Sequence, residues 1–235
     1  MGPYAALGDS FSAGVGAGPS SDRTCLRTAQ AYPQLWSRAH PGTATALLAC
    51  SGARIRTVRQ SQVPRVPRDA RLVTVTMGGN DVGFSAVLAV CGAGSPGAAC
   101  RVAVSLAEAV AVTAVPVELA LTLSAIKDRA PHARVVVLGY PHLFELGTCP
   151  AGRPDVSRRK AINHGTDLLD GVLSRTAGVF GARFVDVRDR FTGHGICAPA
   201  GQAWINGPGD GEGSYHPDEA GQARGYLPAL AALTG

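Results

Sequence analysis

Short runs of apolar and β-branched residues alternate with longer stretches of helical periodicity, and this alternation restricts the possible folds more than any other feature of the chain. The helical patterns lie around residues 31–39, 102–129, 156–180 and 217–233. The apolar runs predict strands at residues 4–7, 45–49, 72–77, 134–138 and 184–187. Strands that alternate with helices in this way predict an α/β sandwich with a parallel sheet. No repeat or linker-like stretch interrupts the pattern, so residues 1–235 are expected to form one domain.

The charge of the chain is modest and widely distributed. Hydrophobic residues make up 46% and charged residues 17% of the sequence, which excludes an intrinsically disordered chain. The formal net charge is +5, but the basic residues are scattered, so we expect no nucleic-acid partner. The densest basic stretch, residues 54–71, predicts a solvated face, and transient contact with the anionic headgroups of a lipid surface is the alternative.

The longest apolar stretch, residues 102–126, contains Glu108, Pro116 and Glu118. A membrane-spanning helix would accommodate two carboxylates and a proline only at a high free-energy cost, so we expect no transmembrane segment here. The stretch instead predicts a pair of core-facing helices or one kinked helix. The first three residues lead directly into an apolar run without a signal-peptide pattern, which we interpret as the start of a mature secreted domain.

The cysteines are expected to form disulfide bonds. Their number is even, and none stands in a Cys-x-x-Cys pair, which argues against a zinc site. Several connectivities are open, and the order along the chain suggests three sequential bridges. Disulfides at this density indicate an oxidising compartment and hence a secreted, extracellular protein; buried thiols in a cytosolic protein are the alternative. The cysteines are Cys25, Cys50, Cys91, Cys100, Cys149 and Cys197.

Neither a metal nor an organic cofactor is expected. The sequence lacks the His-Glu-x-x-His motif of zinc enzymes. Residues 14–18 alternate glycine with small apolar residues, but Pro19 stands at the third glycine position of a dinucleotide-binding motif. We therefore expect no nucleotide cofactor. Separately, we expect the chain to act as a monomer.

Polar motifs follow three of the predicted strands, and a fourth precedes the last predicted helix. They are residues 8–10 (Gly-Asp-Ser), 50–52 (Cys-Ser-Gly), 78–81 (Gly-Gly-Asn-Asp) and 214–217 (Ser-Tyr-His-Pro). Because ligands bind beyond the carboxyl ends of the strands in an open parallel sheet, these motifs are expected to meet in one crevice. A serine, a histidine and amide donors are the groups that acyl transfer requires: a nucleophile, a base and donors to a developing oxyanion.

These four motifs, in this order, resemble the sequence blocks of the GDSL or SGNH hydrolase family. Residues 31–33 (Ala-Tyr-Pro), 49–53 (Ala-Cys-Ser-Gly-Ala) and 193–197 (Gly-His-x-Ile-Cys) are similar to its secreted actinomycete lipase and phospholipase A1 branch. The resemblance implies a flavodoxin-like, three-layer α/β/α sandwich with a mostly five-stranded parallel sheet. It also implies a carboxylic ester hydrolase that acts on lipid esters, with phospholipids among the candidate substrates. The branch typically has three sequential disulfides, which here would be Cys25–Cys50, Cys91–Cys100 and Cys149–Cys197.

The resemblance also implies a role for each site residue. Ser10 would be the nucleophile, and His216 would be the general base and acid. The main-chain amides of Ser10 and Gly52 and the side chain of Asn80 would form the oxyanion hole. Asp9 and Asp81 are expected to be structural hydrogen-bond partners.

The chain departs from the family pattern at Gly213. Most members carry an aspartate at this position, three residues before the histidine, which orients the imidazole. The nearby carboxylates of Asp210, Glu212 and Asp218 do not have that spacing. In the lipase branch a main-chain carbonyl takes this role, and the matching residue is Ser214. We therefore predict a Ser10–His216 dyad that the Ser214 carbonyl orients.

His216 is further predicted to cap the last helix. Pro217 suits the first helical position, and Asp218 and Glu219 suit the first turn. The helix dipole would then disfavour the imidazolium while the two acids oppose that effect. This balance predicts a neutral His216 that can act as a base near neutral pH.

Two other functions remain open from the sequence. The wider family also includes carbohydrate-active acetylesterases, which would use the same dyad. A non-catalytic extracellular binding module on a hydrolase fold is the alternative from a different class. The presence of Ser10, Gly52, Asn80 and His216 together argues against the binding module.

Overall fold

A parallel sheet of five strands forms the centre of the computed structural model, which describes residues 2–92, 94 and 96–234. The strand order is β2-β1-β3-β4-β5, and every neighbouring pair is parallel. The strands are β1 (Tyr4–Gly8), β2 (Thr45–Leu47), β3 (Leu72–Thr76), β4 (Arg134–Leu138) and β5 (Arg183–Val185).

The sequence of the inner strands explains why they lie in the middle. All five residues of β1 and all five of β3 are buried, as expected for strands that helices cover on both faces. Tyr4 pairs with Thr45 on one side and with Leu72 on the other, which sets the register. The buried hydroxyl of Thr74 stays compatible with this core because it is hydrogen-bonded to the Tyr4 hydroxyl at 2.7 Å.

The helices form a layer on each face of the sheet. The crossovers leave β1 in one direction and β3 in the other, and right-handed crossovers in opposite directions place their helices on opposite faces. The helices are α1 (Ser10–Ala13), α2 (Tyr32–Ala39), α3 (Ile55–Thr57), α4 (Phe84–Cys91), α5 (Gly97–Arg129), α6 (Val156–Val179), α7 (Arg188–Phe191) and α8 (Leu227–Thr234). Helices α4, α5 and α6 pack against one another, and α2 packs against α8. Helix α3 continues as a π-helix (Val58–Gln62) and a 3₁₀ turn (Val63–Arg65), and a second π-helix (Gly221–Tyr226) precedes α8.

The predicted fold class is confirmed, and the main differences lie at helix ends. The apolar stretch predicted to be two helices or a kinked one belongs to the single 33-residue helix α5, with Pro116 in its interior. Helix α5 is long and apolar enough to cross a bilayer by length and composition, but its inner face is buried against other helices. Helices α1, α3, α4 and α7 were not predicted. The three or four residues of α1, α3 and α7 are too few to show a helical period, and α4 is apolar along most of its length and so shows no polar face.

All six cysteines are paired, and the predicted sequential pairing is confirmed. Cys25–Cys50 ties the loop after α1 to the end of β2. Cys91–Cys100 joins the end of α4 to the start of α5. Cys149–Cys197 joins the loop after β4 to the loop after α7, so each bridge tethers a loop rather than the sheet.

We expect the bridges to differ in their contribution to stability. The loop-entropy model gives about 4 kcal/mol for the 48-residue separation of Cys149–Cys197 and about 2.6 kcal/mol for the 9-residue separation of Cys91–Cys100. Replacing each pair with alanines should therefore lower the free energy of unfolding more for Cys149–Cys197. Urea unfolding of the two double variants measures this order, and the reverse order would contradict it.

Candidate active site

The site lies where the strand order reverses. Strand β1 stands between β2 and β3, and the chain leaves β1 and β3 towards opposite edges of the sheet. A crevice therefore opens at the carboxyl ends of these two strands. Ser10 comes two residues after the end of β1, Asn80 comes four residues after the end of β3, and both line one cavity.

Ser10 and His216 form a hydrogen bond across this crevice. The distance from Ser10 Oγ to His216 Nε2 is 2.8 Å, and His216 Nδ1 lies 2.8 Å from the carbonyl oxygen of Ser214. A carbonyl can only accept a hydrogen bond, so Nδ1 carries the proton and Nε2 is left to accept the proton of the serine hydroxyl. The geometry prepares Ser10 for deprotonation.

Burial favours the neutral form of the His216 imidazole. Removal from water lowers its pKa, whereas the hydrogen bond to the Ser214 carbonyl opposes this by favouring the charged form. Among the described residues, no carboxylate is hydrogen-bonded to the His216 ring. Asp218 instead accepts from the Gly221 amide at 2.8 Å, and Asp210 and Glu212 line a separate polar cavity.

The prediction that His216 caps the last helix is wrong. The continuous helical segment that passes through the second π-helix into α8 begins at Glu219, and the side chain of Asp218 caps it through the Gly221 amide. Pro217 lies outside the helix because it forms an isolated β-bridge with Ile205. Burial, rather than the helix dipole, therefore lowers the pKa of His216.

A residue in the left-handed backbone conformation shapes the loop that carries His216. Tyr215 has a φ of +64°, which is uncommon for a residue other than glycine, and this turn brings the Ser214 carbonyl within reach of the His216 ring. Asn206, which the sequence analysis missed, holds the loop in place. The main-chain N–H of Asn206 and its side-chain Nδ2 both donate to the His216 carbonyl. Nδ2 also donates to the Gly16 carbonyl.

The turn that carries Ser10 admits no side chain at Gly8. Gly8 has a φ of +125°, and a Cβ there would lie 2.2 Å from the carbonyl oxygen of Thr76. The next residue, Asp9, caps α1 by accepting from the Phe11 amide at 3.0 Å. Gly8 and Asp9 together place Ser10 at the first position of α1.

A buried tyrosine joins the Ser10 turn to the Asn80 loop. The Tyr140 hydroxyl donates to Asp9 at 2.5 Å and accepts from the Gly79 amide at 3.0 Å. Burial raises the pKa of Asp9 to about 7, although the hydrogen bond from Tyr140 opposes the shift. The main chain of Tyr140 is held in turn by the buried carboxyl of Asp170, whose pKa burial raises to about 8. Tyr140 and Asp170 lie after β4 and within α6, far in sequence from the motifs, and no local pattern marks them.

The predicted oxyanion donors lie on three neighbouring loops. Asn80 Nδ2 donates to the Ala53 carbonyl at 3.0 Å, which uses one of its two hydrogens and ties its loop to the Gly52 turn. The Cys50 amide donates to the Gly8 carbonyl at 3.0 Å and fixes the same turn against β1. Within the described part of the chain the Ser10 and Gly52 amides have no acceptor, but Gly52 does not line the cavity.

Asp81 has the structural role expected for it. Both of its carboxylate oxygens accept from the Ile55 amide, at 3.0 and 3.2 Å. Burial raises the pKa of Asp81. The contact fixes the start of α3 against the Asn80 loop.

The cavity beside Ser10 has a volume of about 300 Å³ and mostly apolar walls. Helix α4 contributes bulky residues, including Phe84 and Leu88. Helices α5 and α6 contribute larger residues as well, among them Val104, Ile162 and Leu169, but four small residues of these helices leave room for an extended apolar group. The small residues are Ala107, Ala111, Ala161 and Gly165.

Over residues 2–92, 94 and 96–234, no group of three or more His, Cys, Asp or Glu side chains is arranged to hold a metal ion. Besides the dyad and the loops described above, the helices contribute the polar residues Ser85, Glu108 and Thr166 to the cavity wall.

Comparison with known proteins gives consistent matches. Residues 6–224 match the model of the GDSL-like lipase/acylhydrolase family. Lipase 1 of Streptomyces coelicolor is 43% identical over 232 residues, which are 97% of this chain and 85% of that protein. The crystal structure of the extracellular lipase of Streptomyces rimosus superposes with a TM-score of 0.92 at 39% identity, over 99% of each chain. That of phospholipase A1 from Streptomyces albidoflavus superposes with a TM-score of 0.91 at 41% identity, over 98% of each chain.

The family match covers most of the chain, and both the sequence and the structure comparisons agree with it. The chain belongs to the GDSL-like lipase/acylhydrolase family.

Proposed function

We propose that this protein hydrolyses carboxylic esters of lipids, including phospholipids, through an acyl-enzyme on Ser10. The observation that carries the proposal is the 2.8 Å hydrogen bond from Ser10 to His216 beside an apolar cavity. Membership of the family makes the chain a carboxylic ester hydrolase, and its Streptomyces relatives are described as lipases and a phospholipase A1.

In the first half of the reaction, Ser10 Oγ attacks the ester carbonyl while its proton passes to His216 Nε2. The resulting imidazolium keeps its Nδ1 proton, which the Ser214 carbonyl continues to accept. The negative charge of the tetrahedral intermediate would be stabilised by the Ser10 and Gly52 amides and by the free hydrogen of Asn80 Nδ2. The bond to the alcohol then breaks, and His216 gives its proton to the leaving oxygen.

In the second half, water replaces the alcohol. His216 Nε2 takes a proton from the water as its oxygen attacks the acyl-enzyme carbonyl. The second tetrahedral intermediate uses the same donors. Its collapse releases the carboxylic acid and returns the proton from His216 to Ser10.

The walls of the cavity favour a lipid acyl group over a sugar. An acyl chain can contact the apolar residues of α4, α5 and α6, whereas a sugar would need polar partners for its hydroxyl groups. This supports a lipid substrate over the acetylated sugars of carbohydrate esterases.

We also propose that the protein is secreted and acts outside the cell as a monomer. Three disulfides fit an oxidising compartment, and the Streptomyces rimosus relative is described as an extracellular lipase. No nucleic-acid partner is proposed.

Replacing Ser10 with alanine tests the proposed function. Ester hydrolysis should fall by a factor on the order of a million in kcat, because the attacking atom is lost, while the fold is retained. Turnover of a p-nitrophenyl ester and of phosphatidylcholine measures this. Ser85→Ala is the matched control, since Ser85 lines the same cavity but lies on α4. Near-normal turnover in a folded Ser10→Ala protein would remove Ser10 as the nucleophile.

Neutralising the carboxylates near His216 should have little effect. Because the Ser214 carbonyl orients the imidazole, Asp210→Asn, Glu212→Gln and Asp218→Asn should each reduce kcat by less than about tenfold, whereas loss of a triad aspartate costs about 10⁴. Asn also preserves the helix cap at position 218. A loss near 10⁴ in any one variant would identify a carboxylate that acts on His216.

Activity should persist below the usual titration range of histidine. The neutral imidazole is the active form, so activity falls as the pH drops through the pKa of His216. Burial lowers this pKa, so the midpoint of the acid limb of kcat/KM should lie below the ordinary value of about 6.5. A pH profile with a soluble ester measures it, and Asp9→Asn shows whether the buried Asp9 carboxyl contributes to the profile. A midpoint above 6.5 would contradict the effect of burial.

A further inference from the structure

The outer face of α5 is apolar and exposed. Large hydrophobic side chains on this face leave 50% to 65% of their surface accessible, which is unusual for a helix that packs on a sheet. At 3.6 residues per turn, four of them fall within an arc of about 100°. We call this arc the α5 outer face; its residues are Val102, Leu106, Val117 and Leu121.

Between residues 102 and 126 the charges of α5 lie away from this face, and the exposed Asp128 lies on the same arc beyond them. Glu108 and Glu118 are the only charged residues between positions 102 and 126, and both project towards neighbouring elements. Glu118 pairs with Arg59 at 2.8 Å, and Glu108 lies 3.7 Å from His164. The α5 outer face therefore carries no charge along most of the helix.

Arginines border the α5 outer face. The segment from α3 to the 3₁₀ turn packs along α5, and Arg56 and Arg65 of this segment are exposed. Arg101 is exposed at the amino-terminal end of the helix. An apolar strip beside exposed cations matches a membrane surface, where acyl chains lie under anionic headgroups.

We propose that the α5 outer face and its bordering arginines dock the protein on an anionic lipid surface, an inference that rests on the proposed function. The large exposed side chains of the face are valines and leucines, and it lacks the aromatic anchors that are enriched in protein interfaces, which disfavours a protein partner. The inner side of the same helix lines the catalytic cavity at Ala107 and Ala111. Docking thus holds the cavity within one helix diameter of the lipid.

Binding to vesicles of non-hydrolysable ether phospholipids tests the proposal without product formation. The protein should co-sediment at least about tenfold more strongly with vesicles that contain phosphatidylglycerol than with pure phosphatidylcholine vesicles. The double variant Leu106→Glu/Val117→Glu should lose at least tenfold in binding. The matched control is Val156→Glu/Val179→Glu, which adds the same charge at two exposed valines of α6 and should bind within about threefold of the wild type.

Turnover of soluble p-nitrophenyl butyrate separates docking from catalysis. Both double variants should keep it within about twofold, since none of the four positions lines the cavity. If the glutamate variant does not fold, Leu106→Gln/Val117→Gln replaces it and should also lose binding. If the wild type does not hydrolyse p-nitrophenyl butyrate, the proposed function is overturned. The vesicle-binding result can still be interpreted in that case.

Four results would overturn the docking proposal. They are no wild-type binding, equal binding to neutral and anionic vesicles, equal losses in the two double variants, or retained binding in the α5 variants. Light scattering could give a fifth result that overturns the docking proposal. A wild-type mass of twice 24.0 kDa that returns to 24.0 kDa in Leu106→Glu/Val117→Glu would mean that a second copy of the chain covers the face.

Discussion

The buried carboxyl of Asp9 is the interaction on which the site depends. It joins the ends of three strands: it caps the helix after β1, accepts from Tyr140 after β4 and, through the Tyr140 hydroxyl, holds Gly79 after β3. A buried carboxyl is tolerated only when hydrogen bonds satisfy it, and losing one such partner typically costs about 1–3 kcal/mol. The position of Ser10 relative to the Asn80 loop therefore depends on this network beneath the site.

The use of a main-chain carbonyl beside His216 changes how the base is tuned. A carboxylate would raise the pKa of the imidazole through its charge, whereas the Ser214 carbonyl supplies only a dipole. Burial can then keep His216 neutral. The arrangement needs Tyr215 in a left-handed conformation, and Asn206 stabilises that turn from outside the loop. The weaker electrostatic support of the imidazolium is thus accompanied by a lowered pKa, which favours the neutral form that the proposed base needs.

The sequence predicted the sheet well because strands buried on both faces leave a continuous apolar pattern, as in β4, whose predicted bounds match the structure. The crevice followed from the rule that motifs at strand ends converge. Tyr140 and Asn206 could not be found this way, since they act through contacts 131 and 190 residues away along the chain. The helix start at Pro217 was mispredicted because a tertiary β-bridge with Ile205 overrides the local preference of proline.

Ser10 and His216 are 206 residues apart in sequence, yet they meet in one hydrogen bond. At a ribosomal rate of about 5–20 residues per second, roughly 10–40 s separate their synthesis. In a nascent chain that has formed β1 and β3 but has not yet reached residue 216, the Ser10 hydroxyl has no histidine to accept its proton. The proposed nucleophile therefore meets its proposed base only when the segment around His216 packs against the finished sheet.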